Sequence, residues 1–583
     1  MSCKPSRSHA DPADYEIGLI RKSWENRIKV ALVYPNTYSV GMSNLGFQTV
    51  YKQLNQIEHV VCERSFLPQN SPAQNRSIVT LESGKHLSDF DIIAFSISFE
   101  NDYPNILTVL EMANLPFKTS QRPASDPLII AGGVACFLNP EPLAPFIDVF
   151  FIGESEPMLA AFFDLFDPGA NREKNLKSLV RQIPCLYVPS FYSVSYKADG
   201  TLRAFEPQAD VPAKIKRAYA RDLSQISTDS VIITPRTTFA DTFLIETSRG
   251  CPHGCRFCCA GFIYRPPRFR TSESILNTLQ KGADLTHKFG LVGAAVSDLP
   301  GIRELCNRIL QAYTPDDPRH GSDFKISFSS LRADALSPEL LELLRKGNVK
   351  TVSIAPDAGS EQMRRVINKG IDQAAILDAA ERLVLNGIPN LRLYFMVGLP
   401  TETFSDVDAI VALCKRVKHL FLKSSKARKR IGEITVSLNS FVPKPFTPFQ
   451  WVAMDDVRQL KNKIKRVKQG LKRVANVRVH ADIPRWAYVQ GLLARGDRKV
   501  AHILTLAHRN KGNWAKTLKE SPVNADFYVL RERALDELLP WDFIDHGLQS
   551  AFLKKEYQKA LNGQTSPACP LEKCTLCGVC KEE

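Results

Sequence analysis

Four cysteines stand close together in the segment RGCPHGCRFCCAGF, which covers residues 249–262. Cys251, Cys255 and Cys258 have the spacing C-x3-C-x2-C, and Cys259 directly follows the third of them. Thiolates this close together in a glycine-containing loop suit either zinc or an iron–sulfur cluster. A structural zinc site needs four ligands, whereas three thiolates leave one iron of a four-iron cubane open to another ligand. Neighbouring Cys258 and Cys259 could not easily turn toward the same cubane, so Cys259 is expected to lie outside the ligand set.

The composition places this loop in a globular protein with several domains. The chain has 583 residues, of which 44% are hydrophobic and 23% charged, so disorder is not the default expectation. Its 14 cysteines are spread along the chain, which favours metal ligation over a disulfide scaffold. No signal peptide is visible, and no apolar stretch is long enough to cross a membrane. We therefore expect a cytoplasmic protein without a membrane partner.

The first part of the chain, residues 27–185, alternates short apolar strands with helical patterns. This alternation predicts an α/β fold with a doubly wound (Rossmann-like) parallel sheet, and such sheets bind ligands at the carboxyl ends of their strands. The turns expected there contain Ser96, Gly132 and Gly133. We select these three as candidate ligand contacts, since glycine lets a ligand approach the backbone. A tight strand-to-helix turn without a ligand explains the glycine pair equally well.

A second alternation, with six apolar strands, covers residues 241–453. It predicts a partial (β/α)6 barrel with its site at the carboxyl ends of the strands, and the cysteine loop follows the first strand closely. The second strand is expected at residues 291–296. The remaining regions are an N-terminal extension, a connector with a β-hairpin, a mostly helical C-terminal domain and a cysteine tail: residues 1–26, 186–240, 454–567 and 568–583.

The cysteine loop resembles the defining motif of the radical SAM superfamily, in which an aromatic residue, here Phe257, precedes the third cysteine. The resemblance implies that Cys251, Cys255 and Cys258 hold a 4Fe-4S cluster. The open iron of that cluster would bind the amino and carboxylate groups of S-adenosylmethionine (SAM), with Phe257 near the adenine.

Two further stretches match the same family. YFMVGLPTET (394–403) is similar to its fifth-strand motif, which implies that Gly398 and the backbone near Met396 face the adenine. SIAPDAGSE (353–361) supplies Asp357 as a candidate partner for the ribose or the amino group of SAM.

A doubly wound domain ahead of this barrel resembles the cobalamin-binding class of the superfamily. AGGVACFLNPEPLAPFIDVFFIGESE (131–156) is close to that class's pattern of a Gly-Gly turn followed by an Asp-led strand that ends in Gly-Glu. The D-x-H-x-x-G sequence that gives cobalt a histidine ligand in many cobalamin proteins is absent. Either cobalt has no lower ligand from the protein, or cobalamin binding has been lost. The first alternative implies an enzyme that cleaves SAM reductively and methylates an unactivated carbon.

A second group of cysteines lies at the C-terminus, with the spacing C-x4-C-x2-C-x2-C: Cys569, Cys574, Cys577 and Cys580. Four clustered thiols can close a tetrahedral zinc site or hold a second iron–sulfur cluster. A redox-active tail without metal is the third interpretation. Together with FVPKPFTPFQW (441–451), this tail is similar to an uncharacterised subgroup of the cobalamin-type radical SAM proteins.

Much of the net charge of +15 lies in two basic segments, residues 415–430 and 461–474. Apolar residues at helical spacing in the second predict an amphipathic helix with a solvated basic face, and a footprint for RNA is the alternative. No nucleic-acid motif supports the alternative, so we expect a small-molecule substrate and an electron donor such as flavodoxin or ferredoxin. Three other functions compete with this one. The chain could be a radical SAM enzyme that modifies tRNA in a methylthiolation-like reaction, or one that catalyses rearrangement or oxidation. The third alternative is a non-enzymatic sensor.

Overall fold

The computed structural model describes residues 15–69, 77–208, 210–313, 324–329, 331–427, 431–571 and 574–581. The chain divides into two compact units. The first comprises Met1–Ala220, Thr228–Phe243 and Arg498–Ser521, and the second comprises Arg221–Ser227, Leu244–Asp497 and Pro522–Glu583. Residues 454–567, expected as one helical domain, therefore contribute to both units.

A six-stranded sheet forms the centre of the first unit. Its strands are β1 (Ile28–Thr37), β2 (Val60–Leu67), β3 (Ile92–Ser96), β4 (Leu128–Gly132), β5 (Val149–Phe151) and β6 (Leu186–Tyr187). Their order across the sheet is β2-β1-β3-β4-β5-β6, and only β6 pairs antiparallel. The order reverses between β1 and β3, so the carboxyl ends of these two strands flank the switch point at which such sheets bind ligands. The prediction of a doubly wound sheet is confirmed.

Helices cover this sheet because its strands are apolar on both faces. The buried segment IIAFS of β3 is typical. The helices of the first unit are Tyr38–Met42, Leu45–Gln56, Tyr103–Met112, Val134–Leu138, Leu159–Leu165, Arg172–Gln182, Val500–Arg509 and Trp514–Glu520. The predicted hairpin is present as β7 (Tyr192–Tyr196) and β8 (Leu202–Pro207), and a short strand, β9 (Ile215–Lys216), follows it.

The second unit contains the six strands that the sequence predicts and others that it does not. The strands are β10 (Thr242–Glu246), β11 (Ser248–Arg249), β12 (Arg268–Phe269), β13 (Lys288–Val292), β14 (Lys325–Phe328), β15 (Thr351–Asp357), β16 (Asn390–Val397), β17 (Ile434–Ser440), β18 (Val477–Ala481) and β19 (Ile544–Asp545). In the described residues, β10-β13-β14 form one hydrogen-bonded group and β15-β16-β17-β18 another. β18 pairs parallel to β17 and lies in the region expected to be helical.

The expected position of the second barrel strand was wrong. β13 begins at Lys288 and ends at Val292 rather than covering residues 291–296. The chain turns at Gly293, where a Cβ atom would lie 2.7 Å from the hydroxyls of Thr247 and Ser248. The apolar residues after this glycine therefore leave the sheet.

Ten helices surround these strands in the described part of the second unit: Ser272–Ala283, Ile302–Ala312, Pro338–Lys346, Glu361–Val366, Gln373–Leu385, Phe404–Ala427, Val457–Leu471, Pro484–Arg495, Asp526–Val529 and Ser550–Leu561. Several begin at a side-chain cap, such as Asp372, which accepts a hydrogen bond from the Ala375 amide. Among the described residues, no helix combines the length and the hydropathy needed to cross a membrane.

Candidate functional site

The cysteine loop follows β10 and is closed at its base by the antiparallel pair β11 and β12. Gly250 has a φ of 82°, and a Cβ atom there would lie 2.7 Å from the Tyr264 carbonyl oxygen, so only glycine fits this turn. Within the loop the Cys258 amide donates to the Cys255 carbonyl at 3.0 Å. The backbone therefore holds the second and third cysteines in a fixed turn.

The thiols of Cys251, Cys255 and Cys258 lie in one largely buried loop, where Cys258 also interacts with Cys259. Each of the three thiols interacts electrostatically with another member of the triad. Burial raises the pKa of Cys251 and Cys255 to about 11 and that of Cys258 to about 12. Binding of a metal centre must therefore displace three protons at neutral pH.

The donor set fits a cubane with one iron left open. Three soft thiolates can each bind a different iron, whereas a structural zinc site needs four ligands. Cys259 begins a short 3-10 turn directly after the triad and stays outside the ligand set predicted from sequence.

A buried ion pair lies next to Cys255. Asp357 ends β15 with a φ of 61°, and its Oδ2 atom is 2.6 Å from Lys369 Nζ. Burial alone lowers the pKa of Lys369, but the Asp357 carboxylate outweighs it, so the ammonium form is favoured. Burial dominates the pKa of Cys255 and raises it, and the Lys369 ammonium opposes part of this rise. No spacing in the sequence indicates Lys369.

The two arginines and the histidine of the loop each have a carboxylate partner. Arg249 lies 3.0 Å from Glu246, and His253 lies 2.9 Å from Asp298. The third, Arg256, is fully buried, and its Nη2 atom is 3.1 Å from Glu556. These contacts neutralise much of the positive charge of the loop and fix its shape.

The other residues predicted to contact SAM lie on the same unit. Phe257 is half-buried between two of the triad cysteines, and Met396 is half-buried near the end of β16. Gly398 has a φ of 84°, and its amide donates to Glu402 Oε2 at 2.7 Å. The positive φ already favours glycine at this position, whether or not a ligand approaches it. The contacts of Phe257, Met396, Gly398 and Asp357 with SAM stay predictions.

The four cysteines of the tail also come together. The Cys580 thiol interacts electrostatically with the thiols of Cys577, Cys569 and Cys574. Cys577 is 3% exposed, and its carbonyl accepts a hydrogen bond of 2.9 Å from the Gln549 amide. The Cys569 amide donates to the Pro252 carbonyl at 2.8 Å, so the tail lies against the triad loop within the second unit.

In the first unit, the structure brings Ser96 and Gly132 side by side in neighbouring strands. Gly133 has a φ of 105°, and a Cβ atom there would lie 2.4 Å from the Ile97 carbonyl oxygen. The close approach of Ile97 is thus sufficient to explain Gly133. At Gly132 a Cβ atom would meet only an ordinary contact of 3.7 Å, which leaves room near this glycine.

Both strands that flank the switch point are followed by exposed apolar side chains. Val40 and Phe99 are each 43% exposed and lie beyond the ends of β1 and β3. Next to Phe99, the Oδ1 atom of Asn101 is buried without a hydrogen-bond partner in the described structure. Sequence reasoning missed these three residues, because none of them belongs to a motif.

Asp102, in the same turn, makes the stability of the first unit depend on pH. Burial raises its pKa to about 6, despite a hydrogen bond from Asn36. Because the folded state then binds the proton more tightly than the unfolded chain does, stability should fall as the pH rises from about 4 to about 6.

Asp102→Asn should remove this fall and stabilise the unit at pH 7 by about 2–3 kcal/mol. Urea unfolding at pH 4 and pH 7 measures the effect. The exposed control Glu25→Gln should leave the wild-type profile intact, and a fall that persists in Asp102→Asn would assign it to another group.

Two family models match the chain. The model for the N-terminal part of radical SAM proteins matches residues 46–189, and the model for the radical SAM superfamily matches residues 245–414. An uncharacterized protein of Methanocaldococcus jannaschii is 31% identical over 480 residues, which cover 82% of this chain and 90% of that protein. An uncharacterized methyltransferase of Pyrococcus horikoshii is 23% identical over 296 residues, which cover 50% of this chain and 58% of that protein.

Solved structures show more distant similarity. TsrM from Kitasatospora setae, a radical S-adenosylmethionine methyltransferase solved with cobalamin and a 4Fe-4S cluster, is 13% identical. The alignment covers 85% of this chain and 100% of TsrM, with a TM-score of 0.49. The radical SAM enzyme coproporphyrinogen III oxidase from Escherichia coli is 16% identical over 40% of this chain and 52% of its own, with a TM-score of 0.29. Neither likeness is close enough to indicate a shared substrate.

Three cysteines directly after the first strand of a parallel α/β unit are the arrangement that the radical SAM motif predicts. The chain belongs to the radical SAM superfamily, and it shares a family there with the protein from Methanocaldococcus jannaschii. Membership implies a radical SAM enzyme with a 4Fe-4S cluster and SAM.

Proposed function

We propose that the protein is a cobalamin-dependent radical SAM enzyme that methylates an unactivated carbon of a small-molecule substrate. The observation that supports this proposal is that one chain combines a thiol triad with a doubly wound sheet, which offers two candidate cofactor sites. The thiol triad is one, and the ligand-binding edge of the doubly wound sheet is the other. When bound, the cluster and SAM supply one-electron cleavage of a carbon–sulfur bond, and cobalamin supplies a methyl group.

At the triad, the protein contributes thiolates, charge and exclusion of water. Cys251, Cys255 and Cys258 would hold the cluster, and their burial keeps solvent from it. The Lys369 ammonium, fixed by Asp357, favours the thiolate form of Cys255. The predicted ligand set contains no fourth thiolate, which leaves one iron for SAM.

At the switch point, the exposed side chains suit a large, flat and partly apolar ligand. Val40 and Phe99 offer apolar surface for a corrin ring. The buried Asn101 oxygen can accept a hydrogen bond, as the amide groups of cobalamin would donate. The first loop, PNTYSVGMSNLG, has no histidine, so cobalt would have no ligand from it. The name of the relative from Pyrococcus horikoshii agrees with a methyltransferase.

Anaerobic turnover with SAM and a reductant, with and without cobalamin, tests this function. We expect S-adenosylhomocysteine that depends on cobalamin, together with 5′-deoxyadenosine. Deoxyadenosine formed without any influence of cobalamin would refute the methyltransferase and favour rearrangement or oxidation. Absence of both products would favour a sensor. Cobalamin binding is measured separately from the absorbance of the protein after gel filtration, and Phe99→Asp should weaken it while iron content stays unchanged.

A basic groove in the second unit supports a second candidate, an enzyme that modifies RNA. Lysines of the helix Val457–Leu471 and the residues that follow β18 line this cavity of about 530 Å³: Lys461, Lys465, Lys468, Lys472, Asp482, Ile483 and Pro484. Within the described residues the four lysines have no carboxylate partner. Ile483 and Trp486 are exposed nearby, so apolar and aromatic surface accompanies the charge as in single-strand binding sites.

If RNA occupies this groove, Lys465→Glu combined with Lys468→Glu should weaken binding. The slope of log K against log salt concentration should decrease by about 2, because each lysine that is removed leaves one phosphate of the RNA without its cation. Filter binding of a labelled tRNA at a series of salt concentrations measures the slope. Lys555→Glu, on an exposed face of another helix, serves as the control. Equal RNA binding by wild type and the double variant would show that the groove is a solvated basic helix face and not an RNA site.

We also propose that the tail cysteines form a second metal centre and that a flavodoxin or ferredoxin supplies the electrons for SAM cleavage. The tail lies beside the triad loop, where the Cys569 amide donates to the Pro252 carbonyl. A metal centre at this position could pass electrons to the triad site.

A further inference from the structure

We infer that Cys569, Cys574, Cys577 and Cys580 hold a second iron–sulfur cluster with every iron bound by protein, and that this cluster passes electrons to the triad site. The inference rests on the proposed reductive cleavage of SAM for its role, but the presence of the cluster does not depend on that role.

Residues 564–569, here called the strap, attach the tail to the cysteine loop. The Gln564 carbonyl accepts a hydrogen bond of 2.9 Å from Arg256 Nη2, a residue between two triad cysteines. At the other end of the strap, the Cys569 amide donates to the carbonyl of Pro252, next to Cys251. The strap therefore runs along the loop from the second triad cysteine to the first.

An asparagine bridge holds the middle of the strap. The Ser566 amide donates to Asn368 Oδ1 at 2.9 Å, and Asn368 Nδ2 donates to the Gly254 carbonyl at 3.1 Å. The Ser566 hydroxyl also donates to Glu556, the carboxylate that pairs with Arg256. These three links attach the strap to one loop, and they fix the position of the first tail cysteine.

The position of the tail thiols beside the triad loop favours a redox-active cluster over zinc, which cannot carry electrons. The Cys580 thiol interacts electrostatically with the other three. Four thiolates match the four irons of a cubane, which leaves no iron for SAM.

Electron transfer is the function that this position suits. Each SAM cleavage consumes one electron, which breaks a carbon–sulfur bond of the sulfonium. A reduced flavodoxin would lose that electron, and the tail cluster would accept it and then release it to the triad cluster. The tail cluster therefore returns to its starting oxidation state in every cycle, and no further oxidant or reductant is needed.

Cys574→Ala combined with Cys577→Ala, in the full chain purified anaerobically, tests the inference. Wild type should contain about eight irons and the variant about four, with no zinc in either. SAM cleavage driven by reduced flavodoxin should fall at least tenfold in the variant. Cleavage driven by dithionite, a small reductant that can reach the triad directly, should change less than twofold. Cys414→Ala, a buried thiol on the helix Phe404–Ala427, is the matched control and should retain the wild-type values.

Each other outcome counts against the inference. About four irons and one zinc in wild type would show a structural zinc site, and four irons without zinc would show a tail that holds no metal. Eight irons in wild type, together with equal flavodoxin-driven cleavage by wild type and the variant, would refute electron transfer through the tail cluster. The retained irons and dithionite activity of the variant show that it folds. If wild type cleaves no SAM at all, the proposed function fails, while the iron count and the electron paramagnetic resonance of two reduced clusters still test the second site.

Discussion

Replacing Cys255 with alanine is expected to reduce the iron of the triad site and SAM cleavage to background. The thiol of Cys255 interacts electrostatically with that of Cys258, and its pKa of about 11 reflects burial. Alanine removes one of three ligands from a set that already leaves one iron unligated by protein. A cubane held by two thiolates would lose iron to solvent or chelator. Iron per chain and deoxyadenosine formed with dithionite are the two measurements.

Cys259→Ala is the matched control for this variant, because Cys259 lies in the same loop and outside the predicted ligand set. It should keep the iron and at least half of the wild-type cleavage rate. The reverse result, with Cys259 required and Cys255 dispensable, would show that the C-x3-C-x2-C spacing assigns the wrong ligands. Equal loss in both variants would point instead to a loop that tolerates no change.

Ligand spacing and strand periodicity are local properties, which is why the sequence predicts the triad and most of the strands. Three cysteines within one turn-rich loop can reach one centre in almost any fold. In the same way, the apolar run IIAFS must lie between covering layers wherever the chain goes. The edge strand β18 has alternate residues half exposed and a basic surface, so its short pattern VRVHA gives a weak signal and was missed.

The partners of the triad could not be predicted, because they come from distant parts of the chain. Lys369 acts on Cys255 only because β15 ends in a left-handed Asp357 that meets the lysine. The strap reaches Pro252 from more than three hundred residues away along the chain. In the first unit, the Gly-Gly turn was correctly located, but only the structure shows that Gly133 is required by the close approach of Ile97.

The second large effect is expected at Arg256, which joins three parts of the second unit. Its guanidinium is fully buried and donates to the carbonyls of Arg365, Val366 and Gln564 as well as to Glu556. Burial lowers the pKa of Arg256 more than Glu556 raises it, so the charge is held at a cost in solvation. Removing one partner of a buried pair costs about 3–5 kcal/mol, and the lower end is expected here because Lys559 Nζ, 2.9 Å from Glu556, remains as a second cation. Arg256→Met should therefore lower the free energy of unfolding by that amount, measured by denaturant unfolding of the apoprotein.

A double-mutant cycle separates the contribution of the charge pair from that of the hydrogen bonds to the carbonyls. Glu556→Gln alone leaves the arginine without its anion, whereas Arg256→Met alone leaves the carboxylate paired with Lys559. The double variant has neither member of the Arg256–Glu556 pair, so it should recover part of the stability that Arg256→Met removes. If the losses of unfolding free energy in the two single variants simply add in the double variant, the charges of Arg256 and Glu556 have no coupling energy. The hydrogen bonds from Arg256 to the carbonyls then hold the loop. Recovery in the double variant would instead show that one buried charge pair fixes the cysteine loop against the C-terminal helix and the strap, and so links the fold of the tail to the geometry of the triad.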